Sequence, residues 1–372
     1  MAPPPPPPPR PPVVDRPNFY RLRNTPAGVI PARVALLLPL SSPSAENRAV
    51  AQALERAAEL AVFDAKGSTI LLMPRDDGGT PEKAVAAATK AIDDGAEIII
   101  GPLFAPSVTA IGPLARARHV PVIAFSSDRT VGGPGVYLLS FQPETEVNRI
   151  IGYAVRTGHN NFAALIPNSP YGEKVTGAFT DAVMRAGGRV AALERFNERP
   201  ELVGPAAQTS MKSGADAILI AEGGAMLQAA APALAIAGAR DRKVQLLGTG
   251  LWDDPAITHE PMLLNGWFAA PPPEAFTAFS THYRIIFKAS PPRIATLAYD
   301  ALALVALLAN GRPHERFTDA ALTDPNGFSG IDGIFRFHSD GSAERGLAVL
   351  QVGTNGFSVL DPAPKAFPRT GF

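Results

Sequence analysis

From residue 33 onward, short apolar runs alternate with stretches whose apolar residues recur every three or four positions. Segment 33–39, RVALLLP, is a continuous apolar run of the kind covered on both faces of a parallel sheet. Segment 46–65 then carries Val50, Leu54, Ala57, Ala58 and Ala61 at helical spacing. The pattern repeats: a strand is predicted over 68–74, Thr80 is a fitting N-cap with Pro81 at the first helical position, and Gly95 stops the following helix. Two more buried strands, 97–100 and 120–125, flank a predicted helix over 107–118. Strands alternating with helices of ~12 to 18 residues force parallel pairing through right-handed crossovers.

The cycle restarts after Glu144. Helices are predicted over 146–157, 172–186 and 225–237, the second ended by Gly187 and Gly188, with strands over 162–167, 190–196, 216–221 and 244–249. A long apolar helix over 292–310 precedes a tail of different character. There 334–338 and 347–352 read as period-two strands joined by Asp340-Gly341, and Asn355-Gly356 supplies a second turn before 357–360, so the tail adds short antiparallel strands. The fold class is α/β, with two doubly wound parallel-sheet lobes, each too short for an eight-fold barrel.

Composition narrows the functional classes. A length of 372 residues implies two or three domains, and a charged share of 18% against 46% apolar residues is that of a folding chain. Lys plus Arg and Asp plus Glu are equal at 34 each, so the footprint of a nucleic-acid-binding protein is missing. The count of zero Cys excludes disulfide scaffolds, thiolate metal sites and cysteine nucleophiles. The most apolar stretch, 294–310, is broken by Asp300 and falls short of the ~20 residues that span a bilayer, so the chain is expected to be soluble.

The opening letters are unusual. Pro3 to Pro9 are all proline, with Pro11, Pro12 and Pro17 following, and such a run has no donors for a sheet or helix. Residues 1–32 therefore read as an extended tether of ~3.1 Å per residue. No basic-then-apolar signal segment precedes it. It suits the leash of a lipoprotein whose anchoring cysteine is replaced by the initiator Met; a cloning boundary or a ligand for a proline-binding module gives the same letters.

Catalytic constellations are not evident. The six histidines (119, 159, 259, 282, 314 and 338) are isolated, His119 reads as a surface residue, and neither Gly-x-Ser-x-Gly nor a phosphate loop occurs. Gly248-Thr249-Gly250 lacks the third glycine of a dinucleotide turn. Asp76 and Asp77 lack the further oxygen ligands of a calcium loop and read as a turn and a helix-start charge. No enzymatic activity, metal or cofactor is expected.

Several segments in register carry a resemblance. Residues 75–84 (RDDGGTPEKA), 98–102 (IIIGP) and 120–127 (VPVIAFSS), then Tyr171-Gly172 after a strand and Gly187-Gly188-Arg189-Val190 after a helix, resemble the type I periplasmic binding proteins of the leucine/isoleucine/valine-binding group. The likeness covers about 33–350. It implies a first lobe from 33–145 plus 272–345 and a second from 146–271 plus 346–372, joined by three crossings, with a small-molecule ligand held between them by hinge closure. Loops beyond the carboxyl ends of parallel strands suit this role independently, because helix N-termini there present unpaired N–H donors.

In the amino-acid receptors of that family, hydroxyls in the first and second loops hold the ligand carboxylate and an acid from lobe two holds its ammonium. Here Ala105 aligns with the first hydroxyl, Asp128 with the second, and Gly250 with the acid. An Asp facing a carboxylate at ~4 Å, with an effective dielectric near 20, costs on the order of 4 kcal/mol, so a plain α-amino acid is disfavoured. Ser107, Asp253 or Asp254 substitutes if the alignment shifts by a few positions. Tyr171 is the best-matched ligand-side residue, able to stack or donate one hydrogen bond or merely to pack the turn. Ser126 and Ser127 serve as ligand hydroxyls or N-caps, and Phe104 and Trp252 as cleft walls or ordinary packing.

The resemblance implies an exported, periplasmic solute-binding protein for a small polar, amino-acid-like ligand, with an ABC permease as partner. Lipoprotein activators of penicillin-binding proteins look similar across the same domain. Leu247-Gly248-Thr249, Trp252-Asp253-Asp254, Tyr299-Asp300-Ala301 and 333–337 (GIFRF) resemble that branch equally, and its partner would be a murein synthase. No nucleic-acid partner is expected.

Overall fold

The run ARVALLL forms β1 (Ala32–Leu38), buried along its length except for a half-buried Arg33. It is followed by α1 (Ala45–Asp64), whose N–H of Asn47 is capped by Ser44, and by β2 (Ile70–Asp76). The computed structural model describes residues 19–21, 30–65, 67, 69–197, 199–313 and 315–367; the proline run of the predicted tether and His314 lie outside these. Thr80 and Pro81 open α2 (Pro81–Asp93) as predicted, with the Thr80 hydroxyl accepting from the N–H of Lys83. β3 (Ile98–Ile100), α3 (Ala105–Ala117), β4 (Val122–Ala124) and β5 (Val136–Leu138) complete a five-stranded sheet of order β2-β1-β3-β4-β5. Every strand pair in it is parallel. α3 starts at Ala105 rather than at Ser107, because Pro106 fits a first helical turn.

α4 (Pro143–Arg156), β6 (Asn161–Pro167), α5 (Pro170–Arg185), β7 (Arg189–Phe196), α6 (Val203–Lys212), β8 (Ala217–Ile220), α7 (Gly224–Ile236), β9 (Gln245–Gly248) and β10 (Trp267–Ala270) wind the second sheet. Each of its central strands feeds two cores, since helices cover both faces. Ile218 and Ile220 of β8 join one cluster with Leu165, while their neighbours Ala217 and Leu219 join the other with Phe162 and Phe179.

α8 (Pro273–Phe287), α9 (Ala295–Leu308) and α10 (Asp319–Leu322) follow, then β11 (Phe328–Gly330), β12 (Gly333–Phe337) and β13 (Ala343–Arg345), which form a separate three-stranded sheet. β14 (Ala348–Gly353) and β15 (Gly356–Asp361) extend the second sheet to seven strands, of order β15-β14-β10-β9-β8-β6-β7, and pair antiparallel. The antiparallel tail is therefore present, with a corrected pairing: the Asp340-Gly341 turn joins β12 to β13, and β12 and β14 belong to different sheets.

The described residues divide into two compact units, drawn from Met1–Ser140, Pro273–Glu344 and Ala366–Phe372, and from Phe141–Pro272 and Arg345–Lys365. The chain thus changes unit four times, once more than expected. The additional change arises because the Phe367 ring stacks 4.5 Å from the Arg336 guanidinium of the first unit. No described helix is long and apolar enough to cross a membrane.

Candidate functional site

In the first unit, the loops beyond the carboxyl ends of β1 to β4 hold the predicted residues. Gly101 follows β3 with φ +88°, and a Cβ there would lie 2.1 Å from the Leu37 carbonyl oxygen, so only glycine lets the two strand ends approach. Phe104, half-buried, packs its ring on Gly79 of the β2–α2 loop, and Ala105 is the first residue of α3. Ser107 lies in the first turn of α3, is 1% exposed, and keeps its hydroxyl without a hydrogen-bond partner among the described residues. After β4, the Ser126 hydroxyl accepts from the N–H of Asp128 at 3.1 Å, and Ser127 is exposed. Asp128 accepts through Oδ1 from both the N–H (3.1 Å) and the hydroxyl (2.7 Å) of Thr130, capping a short 3-10 turn. That oxygen serves the loop's own fold.

Asp77, read from sequence as a helix-start charge, is instead fully buried. Its Oδ1 accepts from the N–H of Gly79 at 2.8 Å and, among the described residues, its Oδ2 has no hydrogen-bond partner. Burial pushes its carboxyl up to about 6, against the N–H of Gly79, which favours the charged form, and with the help of the Asp76 charge.

In the second unit four local elements converge. Ser169 caps α5 by accepting from the N–H of Gly172, where a Cβ would fall 1.9 Å from the Pro167 carbonyl oxygen. This tight strand-to-helix turn holds Tyr171, whose phenol shares a 2.8 Å hydrogen bond with the buried Thr249 hydroxyl just beyond β9. The N–H of Gly250 donates to Oε2 of Glu146, from the first turn of α4, at 2.9 Å. A side chain at 250 would put its Cβ 2.6 Å from the other oxygen of Glu146. The β8–α7 turn approaches as well, with Gly223 packed on Leu251.

The electrostatics of this place are acidic. Burial pushes Glu146 up to about 7; the Gly250 N–H opposes this, and the charges of Glu144 and Asp253 add to it. The Tyr171 phenol is held far above its usual range by burial, by the Glu146 charge and, less strongly, by Glu222 and Glu144. The arrangement can therefore accept hydrogen bonds and positive charge.

The structure brings Tyr171 and Gly250 together in one unit, and gathers Phe104, Ala105, Ser126, Ser127 and Asp128 at the carboxyl end of the other sheet. Trp252 is corrected: its indole is fully buried, packed on Gly248 and 6.3 Å from the Phe268 ring, and is a core residue. Glu146, Glu144, Glu222 and Thr249 were missed. Acids in a first helical turn ordinarily answer the helix dipole. The available signal was Gly250 itself, a position without a side chain where a neighbour's carboxylate has room.

The family model for periplasmic binding proteins matches residues 31–356. An uncharacterized protein of Rickettsia prowazekii is 23% identical over 185 residues, a match covering 50% of this chain and 48%, about half, of that protein. Among solved structures, a candidate branched-chain amino acid ABC transporter from Rhodospirillum rubrum superposes with a TM-score of 0.79 at 20% identity, covering 89% of this chain and all of that one. A solute-binding protein of an ABC transporter from R. palustris, in complex with benzoate, gives 0.63 at 18% identity, covering 90% of this chain and 97% of that one. The two wound sheets, the glycines that tighten their carboxyl-end turns and the match over most of the chain agree: this chain belongs to the periplasmic binding protein family.

Proposed function

We propose that this protein is a non-enzymatic, periplasmic solute-binding protein serving an ABC permease, and that its ligand is a small polar molecule presenting a basic nitrogen. Structural relatives described for branched-chain amino acid transport and in complex with benzoate support solute binding. The ligand class is read from the loops at the carboxyl ends of the strands. The observation that carries it is the meeting of Glu146, Tyr171 and Thr249 at Gly250: one buried carboxyl held by a single N–H, beside two hydroxyls that already satisfy each other. The acid missing at position 250 is supplied from α4. An ammonium or guanidinium group would ionise Glu146 and gain a charge-assisted hydrogen bond, whereas an acid would meet like charge.

Thermal melts of the full chain against standard amino acids, alkyl amines, alkyl guanidines and small amides test this. A ligand at 100 times its Kd adds ~2.7 kcal/mol of stability, so a saturable shift is readable. Standard α-amino acids, whose carboxylate meets like charge, are expected to shift the melt by less than about 2 °C, and amines or guanidines without a carboxylate by more, with affinity that rises between pH 6 and 8 as Glu146 ionises. Glu146→Gln keeps the acceptor for Gly250 and should remove both the shift and its pH dependence. A saturable shift from a purely acidic compound that survives Glu146→Gln would overturn the amine preference. Silence across the panel would turn the reading towards a murein-synthase activator.

A further inference from the structure

We propose that the first unit carries a second small-molecule site, at the amino-terminal end of its sheet, for an anion with an apolar body, its acid a carboxylate. A cavity of about 580 Å³ opens there, formed by the residues that lead into β3, β4 and β5, the end of α3 and the segment before α10. That volume lies within the roughly 300–1,000 Å³ of small-molecule sites. The loops beyond the carboxyl ends of the strands lie a strand length away, about 10 Å for three residues, so the cavity is not part of the site described above.

The charges of this cavity are unevenly committed. Of its two acids, Glu97 is paired with a cation, whereas the exposed Asp319 carboxylate meets only a neutral hydroxyl. Glu97 accepts from Nε of Arg316 at 3.2 Å, in a pair with both side chains buried, and from the N–H of Arg33 at 3.4 Å. Asp319 accepts from the Tyr137 hydroxyl at 2.7 Å. The cationic side is open. Arg116 makes no salt bridge among the described residues, and Arg118 reaches Asp93 only at 3.5 Å with both side chains more than half exposed, a pair worth little in water. His119 lies beside them, exposed at the end of α3. Behind Glu97, Arg316 keeps Nη2 buried and, among the described residues, without a hydrogen-bond partner, so its ion pair with Glu97 leaves one donor uncommitted. The remaining wall is apolar: Ala115, Val120 and Phe317 are buried side chains of the lining.

An aryl or branched aliphatic carboxylate satisfies both halves of this lining, its acid at the arginine rim and its body on the apolar wall. The site does not depend on the identity of the transported solute. The test titrates 2-naphthoate into the full chain by calorimetry and by amide NMR shifts, with uncharged 2-naphthamide as control, in the parent protein and in Arg116→Gln/Arg118→Gln. Both arginines are exposed, so an unchanged melting temperature is expected for the variant. The proposal expects saturable naphthoate binding that perturbs the amides of Ala96, Glu97, Val120 and Gly135. The double substitution and the amide control should each weaken it about tenfold or more, given about fivefold per exposed charge contact. No saturation at millimolar naphthoate, equal affinity in the variant, or perturbations confined to the amides around Tyr171 and Gly250 would each overturn it.

Discussion

Asp76 and Asp77 are adjacent acids with opposite fates, because successive residues leave a strand on opposite faces. Asp76 is exposed; partial burial is the largest single influence and raises its carboxyl, but hydrogen bonds from Ser41 and Gly78 and the Lys83 charge together outweigh this and hold it below the usual range. Asp77 is sealed inside and pushed up to about 6. An acid raised in the folded state leaves stability intact below the unfolded value near 4, removes it as pH rises to about 6, and imposes a constant penalty above that. Asp77→Asn should therefore raise the melting temperature at pH 7.5, by roughly 2–4 °C for each kcal/mol relieved, with a smaller gain at pH 4.5. Melts at the two pH values decide it, and a pH-independent difference would show that ionisation is not the cause. The letters Asp-Asp-Gly-Gly predict a turn correctly. Which acid is buried depends on where the strand ends, and that is set by its pairing with β1.

At the scale of elements, the strongly periodic segments were legible because each buries a full face. β1, α1, α2, β6 and α5 begin and end within a few residues of expectation. α6 was not, since its sequence VGPAAQTSMK interrupts the apolar period with Gly, Pro and hydroxyl residues, yet Val203, Ala206, Ala207 and Met211 pack into the core. Packing there overrides propensity. Asp300 was read from sequence as a break in an apolar run and as part of the segment Tyr299-Asp300-Ala301 that carries a resemblance, with no structural role assigned. In α9 it is 1% exposed and its Oδ1 accepts from the N–H of Ile331 at 2.7 Å, fastening β11 and the turn after it to the helix. Gly330 makes this possible: a Cβ there would fall 2.4 Å from Asp300 Oδ2. Gly330→Ala should cost about 1–3 kcal/mol. Gly177→Ala, in α5 with nothing within 4 Å of the added Cβ, should stabilise by up to about 1 kcal/mol. Urea titrations of the two variants should move in opposite directions, and equal losses would refute the steric account.

At the scale of the whole molecule, each unit buries cores of its own, so unfolding should depart from a single two-state transition. In calorimetry, Gly330→Ala is expected to move one component of the trace and Phe179→Ala the other; one peak displaced as a whole by either change would exclude independent melting. The division into two bodies could be anticipated from the restart of the strand-helix cycle after Glu144. The return of 366–367 to the first unit could not, because it rests on one ring stacked against one guanidinium.

The interleaving of the two bodies bears on how the polypeptide is made. The first body lacks β13 until residue 345 has been synthesised, and the second lacks β14, the partner of β10, until residue 353. The five-stranded sheet of the first body is complete by residue 138, but its three-stranded sheet and the edge of the second body's sheet must wait for these late strands. Apolar strand edges in both bodies must therefore be kept from associating until about residue 353 has been made, and a product truncated near residue 340 should aggregate rather than survive as a stable half.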